Sequence, residues 1–178
     1  HAHTMPGAPH YWYFGNMKVV PRVINGVTIL RGCEANILDI DGSLDMTDES
    51  SRNLDYMIAS FHEPVFKPKS KEENTAAILN VMDKKAKEKN IMIEINNSSL
   101  LGSSRVGSDV NCKKVALLCR EIGTKVILTS DSHINTCIGV FNKGIELLEE
   151  IQMPKELVMN DPEKLIAHLK SKGRLSDL

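Results

Sequence analysis

Several stretches of this chain place residues able to hold a cation or move a proton just where a strand should end. Val126-Ile127-Leu128 is apolar and mostly β-branched, and it reads as a strand buried on both faces. It runs into Thr129-Ser130-Asp131-Ser132-His133. Asp131 and His133 are two apart, so on extended backbone both side chains leave the same face. A carboxylate and an imidazole projecting together suit a metal ion or a proton-transfer site. A solvated Asp-x-His is also an ordinary surface feature, so the pair gains meaning from stretches of the same form. Val27 to Leu30 runs into Glu34, Tyr56 to Phe61 into His62, and Ile91 to Ile95 into Asn96. His1 and His3, again two apart, would end a fifth strand and could grip one ion.

The elements that must position these groups follow from punctuation and period. Asn25-Gly26 is a turn signal, with a short helical segment expected from Asn16 to Asn25 and broken by Pro21. Pro64 stops the strand before His62-Glu63. Glu72 to Lys89 reads as helix with a charged, solvated second half. Ser108 is expected to cap a helix through Ile122, with Gly123 just past its end. Asn142 to Ile151 is another helix. The last starts at Asp161-Pro162, buries Leu165, Ile166 and Leu169, and stops at Gly173. His168 between them is expected to be structural. Strands alternating with helices imply parallel βα units, whose active sites gather at the C-terminal ends of the strands.

Other segments carry weaker signals. His10-Tyr11-Trp12-Tyr13-Phe14 could wall a substrate pocket or form a small satellite core. The acidic loop Asp39 to Asp48 lacks the order of an EF-hand. The loop Gly102 to Gly107 sets Arg105 among serines and glycines, a composition that suits an oxyanion site or a surface turn.

Composition bounds the partners. The 178 residues carry 22 basic and 23 acidic side chains, a net charge of -1, which offers no footprint for non-specific binding to duplex nucleic acid. No apolar run reaches membrane-spanning length, and no signal peptide is evident. Cys33, Cys112, Cys119 and Cys137 form no CxxC pair, so reduced thiols in the cytoplasm are expected. The chain opens on His1 rather than Met, which suggests processing or a longer parent chain.

Taken together, the chain resembles the PHP (polymerase and histidinol phosphatase) domain family, and within it the YcdX-type bacterial phosphatase branch. The matching stretches are His1-Ala2-His3-Thr4, Ala8-Pro9-His10-Tyr11-Trp12, Arg31-Gly32-Cys33-Glu34-Ala35-Asn36, Phe61-His62-Glu63-Pro64, Glu94-Ile95-Asn96-Asn97-Ser98-Ser99 and Ser130-Asp131-Ser132-His133. They span nearly the whole chain in the family's order. The resemblance implies one α/β domain over residues 1–178, a distorted (βα)7 TIM-like barrel that this chain is too short to complete. It implies two or three divalent metal ions, zinc foremost, with manganese or iron as alternatives. His1, His3, Glu34 and Asp131 would hold one ion, Glu34 would bridge to a second bound by His62, and His133 would hold a third.

The activity implied is hydrolysis of small phosphoesters by a metal-activated hydroxide, with Glu34 and Asp131 at the catalytic cluster and His10 and Arg105 as contacts to substrate phosphate. The chain departs from the family pattern twice. A further His after Thr4, a Thr-Asp-His segment, and a His-Pro-Gly-type strand end before Glu94 are absent. Residues are therefore expected to be missing between Thr4 and Met5 and between about Asn80 and Lys87. Rival readings are an exonuclease-like phosphodiesterase and a metal-binding scaffold without turnover.

Overall fold

The computed structural model describes residues 1–67, 70–89, 92–101 and 107–178. These fall into two compact units. The first comprises His1–Asn90 and Ile166–Leu178, the second Ile91–Leu165.

In the first unit, a short helix α1 (Trp12–Gly15) precedes a hairpin of β1 (Val23–Ile24) and β2 (Val27–Thr28). Asn25 and Gly26 close the hairpin with φ of 50° and 79°. Two consecutive positive φ values match the tight hairpin turns whose twist fits the strands. The expected helix over Asn16–Asn25 is thus reduced to a single 3-10 turn at Met17–Val19. Val23, Ile24 and Val27 stay exposed.

The expected single strand from Val27 to Glu34 is also divided. Ile29 N–H donates to Arg22 C=O at 2.8 Å, which holds the segment to the hairpin, and a separate strand β3 (Gly32–Asn36) begins afterwards. Glu34 therefore sits in mid-strand rather than at a strand end. After α2 (Asp48–Ser51), capped by the Thr47 hydroxyl, β4 (Tyr56–Ser60) pairs with β3 in parallel, Gly32 opposite Tyr56 and Asn36 opposite Ser60. Then follows α3 (Lys71–Lys89).

One face of β3 makes the core. Cys33 and Ala35 pack with Ala2, Phe14, Met46 and Leu54. Burial pushes the Cys33 thiol up to about 11, so it stays a thiol within that cluster. A smaller cluster joins Ile37 to Ala77 and Val81 of α3.

The opening residues form no named strand, contrary to the expected fifth strand. Ala2 N–H nevertheless donates to Glu34 C=O at 2.8 Å, and Ala2 is fully buried between exposed His1 and His3. Met5 N–H donates to Ala2 C=O at 3.2 Å, so Thr4 and Met5 run on within one turn.

In the second unit, β5 (Ile93–Asn96) pairs in parallel with β6 (Val126–Thr129). Asn96 caps α4 (Asn97–Leu100) by accepting from Ser99 N–H at 3.0 Å. The helix α5 (Ser108–Ile122) begins after Gly107 at φ 82°, so Gly107 and not Ser108 holds the cap position. The Ser108 hydroxyl donates instead to Ser99 C=O at 2.6 Å. Gly123, at φ 74°, ends the helix as its left-handed position requires. Burial of β6 alternates, with Val126 and Leu128 buried and their neighbours partly exposed, so it is not covered on both faces. The Asn160 side chain clamps Leu128, accepting from its N–H at 2.8 Å and donating to its C=O at 2.9 Å. A further helix, α6 (Asn142–Glu150), sets Gly144 against Leu128. The last helix, α7 (Pro162–Ser171), starts as expected, with Asp161 accepting from Lys164 N–H at 3.0 Å, and from Ile166 onward it belongs to the first unit. His168 within it is buried.

Candidate metal centre

The centre is built on the second face of β3. Side chains alternate along a strand, so Gly32, Glu34 and Asn36 share the face opposite Cys33 and Ala35. Gly32 is required there because a Cβ would run into the Tyr56 ring of the paired strand. His62 lies just past the end of β4, within reach of both Glu34 and Asn36. Its Nε2 is 3.2 Å from Glu34 Oε1 and its Nδ1 is 2.5 Å from Asn36 Oδ1. The backbone bond from Ala2 to Glu34 brings in the third group, and His1 Nδ1 lies 2.8 Å from Glu34 Oε2. The His1 and His62 rings meet edge to face, centroids 4.5 Å apart. One donor atom from each of His1, Glu34 and His62 lies within 4.8 Å of the others. Zinc-type ions bind imidazole and carboxylate donors at about 2.0–2.2 Å, so donors of one ion stand up to roughly 4 Å apart. The donor types and their spacing fit a divalent cation after modest closure.

A layer of polar side chains stands behind these donors. Asp45 accepts from Asn36 N–H at 2.8 Å, from Asn36 Nδ2 at 2.6 Å and from the Thr4 hydroxyl at 2.5 Å. Asn36 Nδ2 also donates to Thr4 Oγ1 at 3.0 Å. Burial pushes the Asp45 carboxyl up, but the hydrogen bonds from Thr4 and Asn36 outweigh it and leave Asp45 below its ordinary value.

The remaining expected site residues are placed differently. His3 is exposed, outside the three-residue group, its ring centroid 6.5 Å from that of Tyr11. His10 is exposed against Tyr11 at 4.2 Å and accepts weakly from Trp12 N–H at 3.5 Å. Tyr11, Trp12 and Tyr13 are exposed, whereas Phe14 is buried in the core cluster beside Cys33 and Ala35, so the aromatic run is divided between surface and core. Asp131 and His133 belong to the second unit. There the chain is not extended, because Asp131 adopts φ 47°, and His133 turns its Nδ1 to the Asp131 carbonyl at 2.9 Å. The expected shared face of an extended Asp-x-His is therefore replaced by a tight turn. Arg105 lies outside the described residues.

Sequence reasoning missed the roles of Thr4, Asn36 and Asp45. Asn36 and Thr4 stood inside matched motifs, and Asp45 stood in the acidic loop that was weighed only for calcium. A lone acid within a run of turn residues, close in sequence to the strand that bears Glu34, was the available signal.

No family model matches the chain. It is similar to a probable phosphatase of Clostridium novyi, 50% identical over 202 residues that cover 100% of this chain and 82% of that relative. A probable phosphatase of Clostridium acetobutylicum is 49% identical over 201 residues, 99% of this chain and 82% of the relative. One of Aliivibrio fischeri is 40% identical over 200 residues, 99% of this chain and 81% of the relative. The 202 aligned positions exceed the chain's 178 residues, so the alignment carries at least 24 positions with no counterpart here. Within the aligned span the chain is thus shorter than this relative. At this identity and coverage, the chain belongs to the family of these probable phosphatases.

Proposed function

We propose that the chain is a divalent-metal-dependent phosphoesterase of the PHP type, acting on small phosphate esters. The observation that carries the reading is the convergence of His1, Glu34 and His62, drawn from three separate stretches of sequence, onto one point. The relatives' name, probable phosphatase, supports a phosphorylated substrate. When bound, divalent ions supply positive charge to phosphate oxygens and a water acidic enough to ionise near neutral pH.

The chain's own groups do the rest. Glu34 turns one oxygen to each imidazole, so with His1 and His62 it would hold the metal. Asp131 and His133 would complete the ligand set, and His10 and Arg105 would orient the substrate phosphate. A distorted (βα)7 barrel would gather such ligands at one end of its strands. Zinc is the first candidate, then manganese or iron. Reduced thiols in the cytoplasm belong to this reading. Among the described residues no helix is long and apolar enough to cross a membrane.

The test is Glu34→Ala, followed by elemental analysis and release of phosphate from a small phosphomonoester. Loss of bound metal and a fall in kcat/KM of at least about a hundredfold are expected. Undiminished hydrolysis by the metal-stripped variant would sink the proposal. The family positions absent from this chain favour one second reading, a metal-binding domain without turnover. Two or three equivalents of metal per chain support the phosphoesterase. One or none, after loading with zinc or manganese, supports the scaffold.

A further inference from the structure

The hydrogen bonds behind the centre fix the direction of every proton in them. An ionised Asp45 can only accept. Its Oδ2 takes the Thr4 hydroxyl proton at 2.5 Å and Thr4 N–H at 3.3 Å. Thr4 Oγ1 has then donated its single proton, so toward Asn36 Nδ2, 3.0 Å away, it accepts. Both amide protons of Asn36 are thus in use, one to Asp45 and one to Thr4. Exchanging the amide oxygen and nitrogen would set Asn36 Oδ1 against the Asp45 carboxylate, two acceptors facing each other with no proton between them. Oδ1 must therefore face His62, and it can only accept. His62 Nδ1, 2.5 Å away, must carry a proton. With Nδ1 protonated, Nε2 is the nitrogen left to face Glu34 at 3.2 Å: as an imidazolium it would donate to that carboxylate, and in the neutral ring its lone pair and the carboxylate are two donors for a cation held between them.

We propose that Asn36 is a positioning residue: locked by Asp45 and Thr4, it holds His62 as the Nδ1-protonated tautomer with Nε2 turned toward Glu34, and so raises the centre's affinity for a divalent cation. The affinity part rests on the metal reading above; the tautomer part stands on this network alone. An amide suits the position better than a carboxylate. Aspartate at 36 would also accept from Nδ1, but it would stand against Asp45 as a like charge. The amide accepts on one side and donates on the other, so each bond in the row polarises the next. Fixing the tautomer and ring angle of a ligand histidine through its second nitrogen is how outer groups tune metal affinity.

The test uses the full chain, isotopically labelled and stripped with chelator, at a pH where its imidazoles are neutral. Long-range nitrogen–proton correlations report the tautomer of His62. The expected result is Nδ1–H. An Nε2–H tautomer in the wild-type chain would overturn the proposal without any variant having to fold.

Asp45→Asn exchanges one of the two carboxylate oxygens that orient Asn36 for an NH2 donor, which can face the Asn36 amide oxygen instead. The Asn36 amide can then turn its NH2 to His62, which is expected to shift the tautomer to Nε2–H and weaken Zn2+ binding, read by competition calorimetry, about 10- to 100-fold. A tautomer shift with unchanged Zn2+ affinity overturns the proposal. The paired exchange Asn36→Asp with Asp45→Asn restores an acceptor facing His62 and is expected to recover both tautomer and affinity, which a merely structural role would not produce. A wild-type chain with Nδ1–H that binds no Zn2+ would overturn the metal reading and the affinity part with it.

Discussion

Asp45 carries much of the polar interior of the first unit through one carboxylate. Its acidity has a direct consequence for stability. The folded value lies below the ordinary 3.8, while in the unfolded chain the hydrogen bonds from Thr4 and Asn36 are lost. Between those two values the unfolded state binds more protons, so stability rises with pH there. The contribution is fully present above about pH 4 and is lost as pH falls through the folded value. Asp177, held down to about 2 chiefly by the hydrogen bond from Arg22, acts in the same direction. Urea unfolding from pH 5 to pH 2 is expected to show a falling midpoint for the wild type and a shallower fall for Asp45→Asn. Equal slopes would assign the acid sensitivity to other groups.

His1, Glu34 and His62 were legible at this scale because histidine and glutamate announce their chemistry by type. Asn36 and Asp45 were not. An amide and an acid serve many ends, and theirs shows only once Thr4, Asn36, Asp45 and His62, spread over most of the first sixty residues, are brought together.

At the scale of elements, the parallel pairing of β3 with β4 and the close approach of the loop after β3 to α3 set the frame. Gly42 lies at φ 77°, and a Cβ there would meet the Val81 backbone nitrogen and side chain. Gly42→Ala thus combines a left-handed position with a contact that backbone cannot relieve, and is expected to cost about 2–4 kcal/mol by thermal or urea unfolding. A cost within about 0.5 kcal/mol, the range of ordinary surface changes, would show that the loop moves aside freely.

The helices and most strands were readable because caps, glycines and apolar period act locally. Asp161-Pro162 and Gly123 behave as their chemistry dictates. Reading failed where a tertiary partner decides. The run from Val27 toward Glu34 looks continuous, but Arg31 N–H is captured by Asp55 at 2.6 Å, and the strand that matters begins one residue later. Asp131 failed for a different reason, since a left-handed aspartate is permitted by its short polar side chain yet not announced by it.

At the scale of the whole molecule, a net charge of -1 predicts little attraction to polyphosphate backbones. Fluorescence anisotropy with a labelled duplex at physiological salt is expected to give a Kd weaker than about 10⁻⁴ M. Micromolar binding, or faster turnover of a short oligonucleotide than of a small phosphomonoester, would move the reading to the exonuclease. The discontinuity of the first unit has a consequence of another kind, one of timing. Its first ninety residues carry Arg22 and Arg31, whose side chains are only 10% and 6% exposed, and both reach Asp177. Arg31 and that partner are 146 positions apart. A ribosome adding about 5–20 residues per second needs roughly 7–30 s to cover that distance. Throughout that interval the second unit, contiguous in sequence, can emerge whole. The half of the protein that bears His1, Glu34 and His62 is begun first and closed last, and until Asp177 leaves the exit tunnel its Arg31 guanidinium has no carboxylate to meet.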